Sequence, residues 1–186
     1  MPPKMVDDYA KNFPAEFPQL QDKYTKKSHP SSLYNCIAWA ADECHRWWEP
    51  HPDAYWPFEI TLNYEEDYTL ENYTRAFELL GYEVCHNLDA TRTRGFQKVA
   101  IYIDQDRRPT HAARQTWRGF WLSKLGKNVD IRHENLGLLE RGEYGTVARI
   151  MRRPWRVTNL LKEIILSIKV SSFLHSAESK DRNNEP

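Results

Sequence analysis

The sequence carries no surplus of charge: 26 basic residues balance 26 acidic ones. This removes the electrostatic footprint of a general nucleic-acid binder, and no stretch reads as a partner for a polyanion. Cysteine is scarce too. Three cysteines, an odd number in 186 residues, cannot form the disulfide framework of a small secreted domain. The N-terminal "MPPKMVDDYAKNFPAEF" has no apolar stretch behind a basic start, so no signal peptide is read there and a cytoplasmic protein with reduced thiols is expected. Long hydrophobic runs are missing as well. "RVTNLLKEIILSIKVSSFL" is broken by Lys162, Glu163 and Lys169 and falls short of the roughly 18–20 unbroken apolar residues of a membrane span. Cys44-His45 and Cys85-His86 are adjacent pairs, not the two-to-four-residue spacings that let side chains converge on zinc, so neither metal nor cofactor is expected. No internal repeat is visible, and nothing specifies an oligomeric state.

Hydrophobic residues at 40% against 28% charged ones imply one globular domain long enough to bury a core. Residues 1–30, rich in Pro, Lys and Asp, read as an irregular N-terminal arm. A helix is expected from Asn35 to Trp48, with Ile37, Ala40 or Ala41, Cys44 and Trp48 as its buried stripe and Pro50 as its stop. The proline-rich "EPHPDAYWPF" is a rigid loop. "TLENYTRAFELLG" predicts a second helix capped by Thr69, with Leu70, Tyr73, Phe77 and Leu80 on one face and Gly81 closing it.

From Phe96 onward the period becomes that of strands. "KVAIYID" reads as a central strand, "HAARQTW" and "FWLSKLG" as a hairpin about Arg118-Gly119, and "DIRHE" and "GTVARIMRR" as two more strands. The plan is α+β: two helices packed on an antiparallel meander across residues 31–154. Residues 155–175 predict a C-terminal helix, docked or interfacial, and 176–186 a disordered polar tail.

Cys36 falls off the apolar stripe, in the first helical turn, where unpaired backbone N–H groups favour a thiolate. A nucleophilic thiol needs a base, commonly histidine. Of the seven histidines, His111 begins a strand directly after a turn, fixed by the sheet and exposed at its edge, and is the preferred base. Ser123 on the next strand can approach it from across the hairpin, with Asn128 and Asp130 as alternative third residues. The plainer reading of Cys36 is a small buried thiol. Trp47, Trp48, Tyr55 and Trp56 are either an aromatic wall beside a site or the cover of a core. Lys124 is either a solvated strand residue or a positive charge for an acidic substrate.

A cysteine opening a helix, a histidine starting one strand and a polar residue on the next resembles papain-like cysteine hydrolases of the compact cell-wall-amidase type. "YNCIAWA", "THAARQ", "WLSKLG" and "DIRH", ending in "YGTVARIMRRP", look like a bacterial domain family of unassigned activity with that fold, over about residues 30–154. The resemblance implies Cys36 as nucleophile, His111 as base and Ser123 as third residue. The serine departs from the more frequent His, Asn, Asp or Gln. It also implies an oxyanion hole made by the Cys36 N–H with a side chain of Tyr34 or Asn35. Trp48, Trp56 and Lys124 are candidate substrate contacts, and the implied substrate is a peptide or another amide. A second reading keeps the fold without turnover, as a binding module using the aromatic loop 47–58.

Overall fold

The computed structural model describes residues 17–21 and 23–156. Contacts divide the chain into two units, Met1–Arg153 and Pro154–Pro186, and the elements below belong to the first except for Pro154, the last residue of the final strand. From residue 157 on, the expected C-terminal helix and tail lie outside the described residues, as do positions 1–16 and 22 of the arm. Among the described residues, no helix is long and apolar enough to cross a membrane.

The fold is α+β. Strands β1 (Tyr24–Lys26), β2 (Glu83–Val84), β3 (Phe96–Ile103), β4 (Pro109–Gln115), β5 (Trp121–Lys124), β6 (Asp130–His133) and β7 (Thr146–Pro154) form one sheet, ordered β1-β6-β5-β4-β3-β7-β2. Strands β3 to β6 are the expected antiparallel meander, with Tyr102 opposite His111, Ala113 opposite Ser123 and Ser123 opposite Ile131. The arm is not wholly irregular. Its residues Tyr24–Lys26 pair antiparallel with β6, covering the backbone groups that an edge strand would leave open, and Phe17 and Leu20 are buried in the core.

The second expected helix is present as α3 (Leu70–Glu78), preceded by the single turn α2 (Tyr64–Asp67). Thr69 accepts a hydrogen bond from the Asn72 N–H, Leu70, Tyr73 and Phe77 are buried, and Gly81 takes φ +85°. The first helix is much shorter than the periodicity predicts. Helix α1 spans only Cys36–Ala40, and Asp42 follows it in the left-handed region at φ 69°. The chain turns back because Asn35 binds both ends of the loop. Its Oδ1 accepts from the Ala38 N–H at 3.1 Å and the Trp48 N–H at 3.4 Å, and its Nδ2 donates to the Trp48 carbonyl at 2.6 Å. Ile37, Ala40 and Trp48 do share one core, as their spacing suggests. They meet through this reversal rather than along one helix.

That core lies on one face of the sheet, where Ile37, Ala38, Tyr73 and Phe77 pack on Val99, Ile101 and Ala112. On the other face Ala100, Tyr102, Ala113, Trp121 and Ile131 join Phe17, Leu20 and Leu136. Each strand feeds both cores because successive side chains alternate.

Candidate functional site

Cys36 opens α1 and lines a cavity of about 220 Å³. Asn35, Trp47, Glu49, Tyr68, Thr110 and Tyr144 supply most of its other polar and aromatic wall. Burial pushes the thiol up to about 11, opposed by the backbone N–H groups of Ala112, Ile37 and Cys36 and by the Lys124 ammonium. The resting sulfur is therefore a neutral thiol, lying against the backbone of β4 one residue along from His111.

His111 departs from expectation in its exposure. It is fully buried, because β4 runs between β3 and β5 inside the sheet and Tyr144 stacks on the imidazole with ring centroids 4.0 Å apart. Alternation along β4 turns Ala112 toward α1, and His111 toward Tyr102 and the opposite core. No hydrogen bond joins Cys36 to His111.

Ser123 does meet His111. The His111 Nε2 and Ser123 Oγ are 3.0 Å apart, and the same Oγ is 2.9 Å from the His133 Nε2. The His133 Nδ1 is 2.8 Å from the Asn135 carbonyl, which fixes the protons along the chain. A carbonyl only accepts, so His133 carries its proton on Nδ1 and its Nε2 accepts from the Ser123 hydroxyl. The hydroxyl oxygen then accepts from the His111 Nε2–H. His111 is left with a bare lone pair on Nδ1, buried and without a hydrogen-bond partner. Burial holds both rings neutral: His133 is pushed down to about 4, and His111 lies well below the ordinary histidine value. His133 is the residue that sequence reasoning missed. The available signal was its place opposite Trp121 and two residues beyond Ile131, on the same face as Ser123.

The remaining candidates divide between the core and the thiol. Trp48 and Trp56 are buried core residues, Trp48 edge-on to Tyr55 and Trp56 against Tyr73. Neither lines the cavity, whose tryptophan is Trp47. Lys124 is not solvated: it is fully buried, donates to the Asn128 carbonyl and lies 5.0 Å from the Tyr34 ring centre. Burial lowers its pKa, opposed by Asp130 and Cys36. Asp130 does not orient His111. Its Oδ2 accepts from the Tyr34 hydroxyl at 2.7 Å, and burial raises its pKa. Asn128 supplies a carbonyl to Lys124 and a side-chain acceptor to the Val129 N–H, so it is no third residue either. The Tyr34 hydroxyl is committed to Asp130. Asn35 lines the cavity and spends one of its two amide N–H donors on the Trp48 carbonyl, so its second N–H and the backbone N–H of Cys36 are the donors beside the thiol.

Residues 24–152 match the model of a family described as a domain of unknown function, DUF7689. No curated protein and no solved structure matches the chain.

Proposed function

The chain belongs to the DUF7689 family, and we propose that it is a papain-like cysteine hydrolase, an amidase or peptidase, with Cys36 as nucleophile and His111 as base. The observation that carries this reading is the unpartnered Nδ1 lone pair of His111. Its Nε2 is anchored through Ser123 and His133, one residue from where the Cys36 thiol lies against Ala112. A neutral imidazole with one nitrogen anchored and a lone pair on the other has the form of a general base. Catalytic hydrogen bonds that are long in a free enzyme tighten when substrate fills the site.

In the proposed reaction the Cys36 S–H proton passes to the His111 Nδ1 as the sulfur attacks an amide carbonyl. The Cys36 N–H receives the developing oxyanion. Collapse breaks the C–N bond, the imidazolium returns the proton to the departing amine, and a thioester remains on Cys36. Water, deprotonated by the same Nδ1, then releases the acid and restores the thiol. Lys124 assists by favouring negative charge on the sulfur.

One set of observations favours the non-catalytic module reading instead: the thiol rests near 11 and has no hydrogen bond to the imidazole. Two measurements separate the readings. Mass spectrometry after p-nitrophenyl acetate should find an acetyl adduct on Cys36 and not on Cys44 or Cys85. Alkylation of Cys36 by iodoacetamide should be faster than at the other two cysteines and should level off near neutral pH. An absent adduct, together with an alkylation profile that rises until about pH 11, would leave only the module.

A further inference from the structure

Glu49 lies in the wall of the Cys36 cavity and has donors but no cation. The Tyr68 hydroxyl donates to its Oε1 at 2.8 Å and the Trp47 indole N–H to its Oε2 at 2.9 Å. Among the described residues no lysine or arginine lines the cavity, and the ion pairs leave Glu49 out. Arg108, over the Tyr64 ring, pairs with Glu65 at 2.7 Å, and Arg46, over the Tyr55 ring, pairs with Glu43 at 3.4 Å. Burial and the bond to Glu49 raise the Tyr68 pKa, so that hydroxyl remains a donor. Two donors leave part of a carboxylate's four acceptor positions open. Trp47, Tyr68, Tyr73 and Tyr144 surround the same space, and aromatic faces attract cations. Tyr73 is within electrostatic reach of both Glu49 and Cys36, which ties the carboxylate to the thiol's end of the cavity.

We propose that this cavity is a cation subsite, in which Glu49 and its aromatic neighbours hold an ammonium group of the ligand beside the Cys36 thiol. At about 220 Å³ it takes a single amine-bearing group rather than a whole ligand of drug size. Under the hydrolase reading, on which the word substrate rests, the substrate class is an amide with a free amine close to the scissile carbonyl.

The test reads the preference of the site without requiring turnover. Cys36 is modified with 2-aminoethyl methanethiosulfonate, which is cationic, and with the anionic 2-sulfonatoethyl reagent. Each forms a mixed disulfide and releases methanesulfinate. The cation-to-anion rate ratio at Cys36 should fall about tenfold in Glu49→Gln, the size of a partly desolvated cation–π and carboxylate contact, and stay unchanged in Glu78→Gln, whose carboxylate is exposed. An unchanged ratio in Glu49→Gln, an equal fall in Glu78→Gln, or no modification of Cys36 by either reagent overturns the proposal. A Cys36 that reacts slowly with both reagents but keeps the ratio counts against the hydrolase alone.

Discussion

The two faces of the central sheet are made from alternate residues of the same strands, yet the polar groups buried beside Cys36 and beside His111 differ in kind. Toward α1 Arg114 pairs with Asp42 and Lys124 interacts with Asp130. On the other face His111, Ser123 and His133 form a chain of neutral groups, each fully or almost fully buried, while the buried Lys98, near the start of β3, pairs with Asp89. Burial disfavours the charged form of any group, so a sealed polar chain is least costly when it is neutral and hydrogen-bonded. The face with the cavity can keep charge where partners or solvent share the cost. Cys36 and His111 sit on either side of this division. The hydrolase reading therefore requires a proton to cross the sheet at the start of β4.

The largest expected effect tests that crossing. His111→Gln should lower acetylation of Cys36 by p-nitrophenyl acetate by about 10²–10⁴-fold, the range for loss of a general base, while alkylation of Cys44 stays as it was. Glutamine can still hydrogen-bond Ser123, so the fold should tolerate the change. An unaltered acetylation rate would show that the two faces are chemically separate.

What was legible in the sequence follows from the range of the interactions involved. The α3 cap and stripe, the hairpin and the Ser123–His111 meeting depend on local periodicity and on one register, both readable from a single strand pair. The true length of α1 was not readable. It is set by Asn35 reaching Trp48, a bond between residues 13 apart in a loop, and helical spacing mimicked the reversal it creates. The burial of His111 and Lys124 was missed for a similar reason. Both follow from the order of seven strands and from Tyr144 and Tyr34 arriving from elsewhere. His133 needed one register more than the hairpin provides.

The neutral chain should also be acid-sensitive. The unfolded His133 binds a proton near pH 6.5, an ordinary value, but the folded ring only near 4 because burial penalises the cation. Between those values the unfolded chain holds more protons, so stability is fully present above about 6.5 and is lost as pH falls toward 4. His111 shifts in the same direction and adds to the loss. His133 alone accounts for on the order of 3 kcal/mol, measurable as a drop in urea midpoint between pH 7 and pH 4.5. Replacing His133 with Gln should flatten that dependence. A dependence equally steep in the variant would take the acid sensitivity away from His133.

A smaller effect is expected from Asn35, which shapes the face toward α1 without carrying charge. Asn35→Ala removes the acceptor for the Ala38 and Trp48 N–H groups and the donor to the Trp48 carbonyl. A lost helix cap costs about 1 kcal/mol, and the Trp48 carbonyl loses a partner inside a buried loop. Asn35→Asp keeps the acceptor but sets a carboxylate oxygen against the Trp48 carbonyl, so it should recover at most the cap's share of the stability in a urea titration. The same two variants read the cavity, because Asn35 and Trp47 both line it and the loop to Trp48 is held by this one side chain. Alkylation of Cys36 should therefore rise in Asn35→Ala by a few-fold and less in Asn35→Asp, while the urea-independent rate at Cys85 stays constant. If the cysteine responds in neither variant, the loop is held by the packing of Trp48 against Tyr55, and the access of ligands to the thiol is set by the aromatic core rather than by the cap.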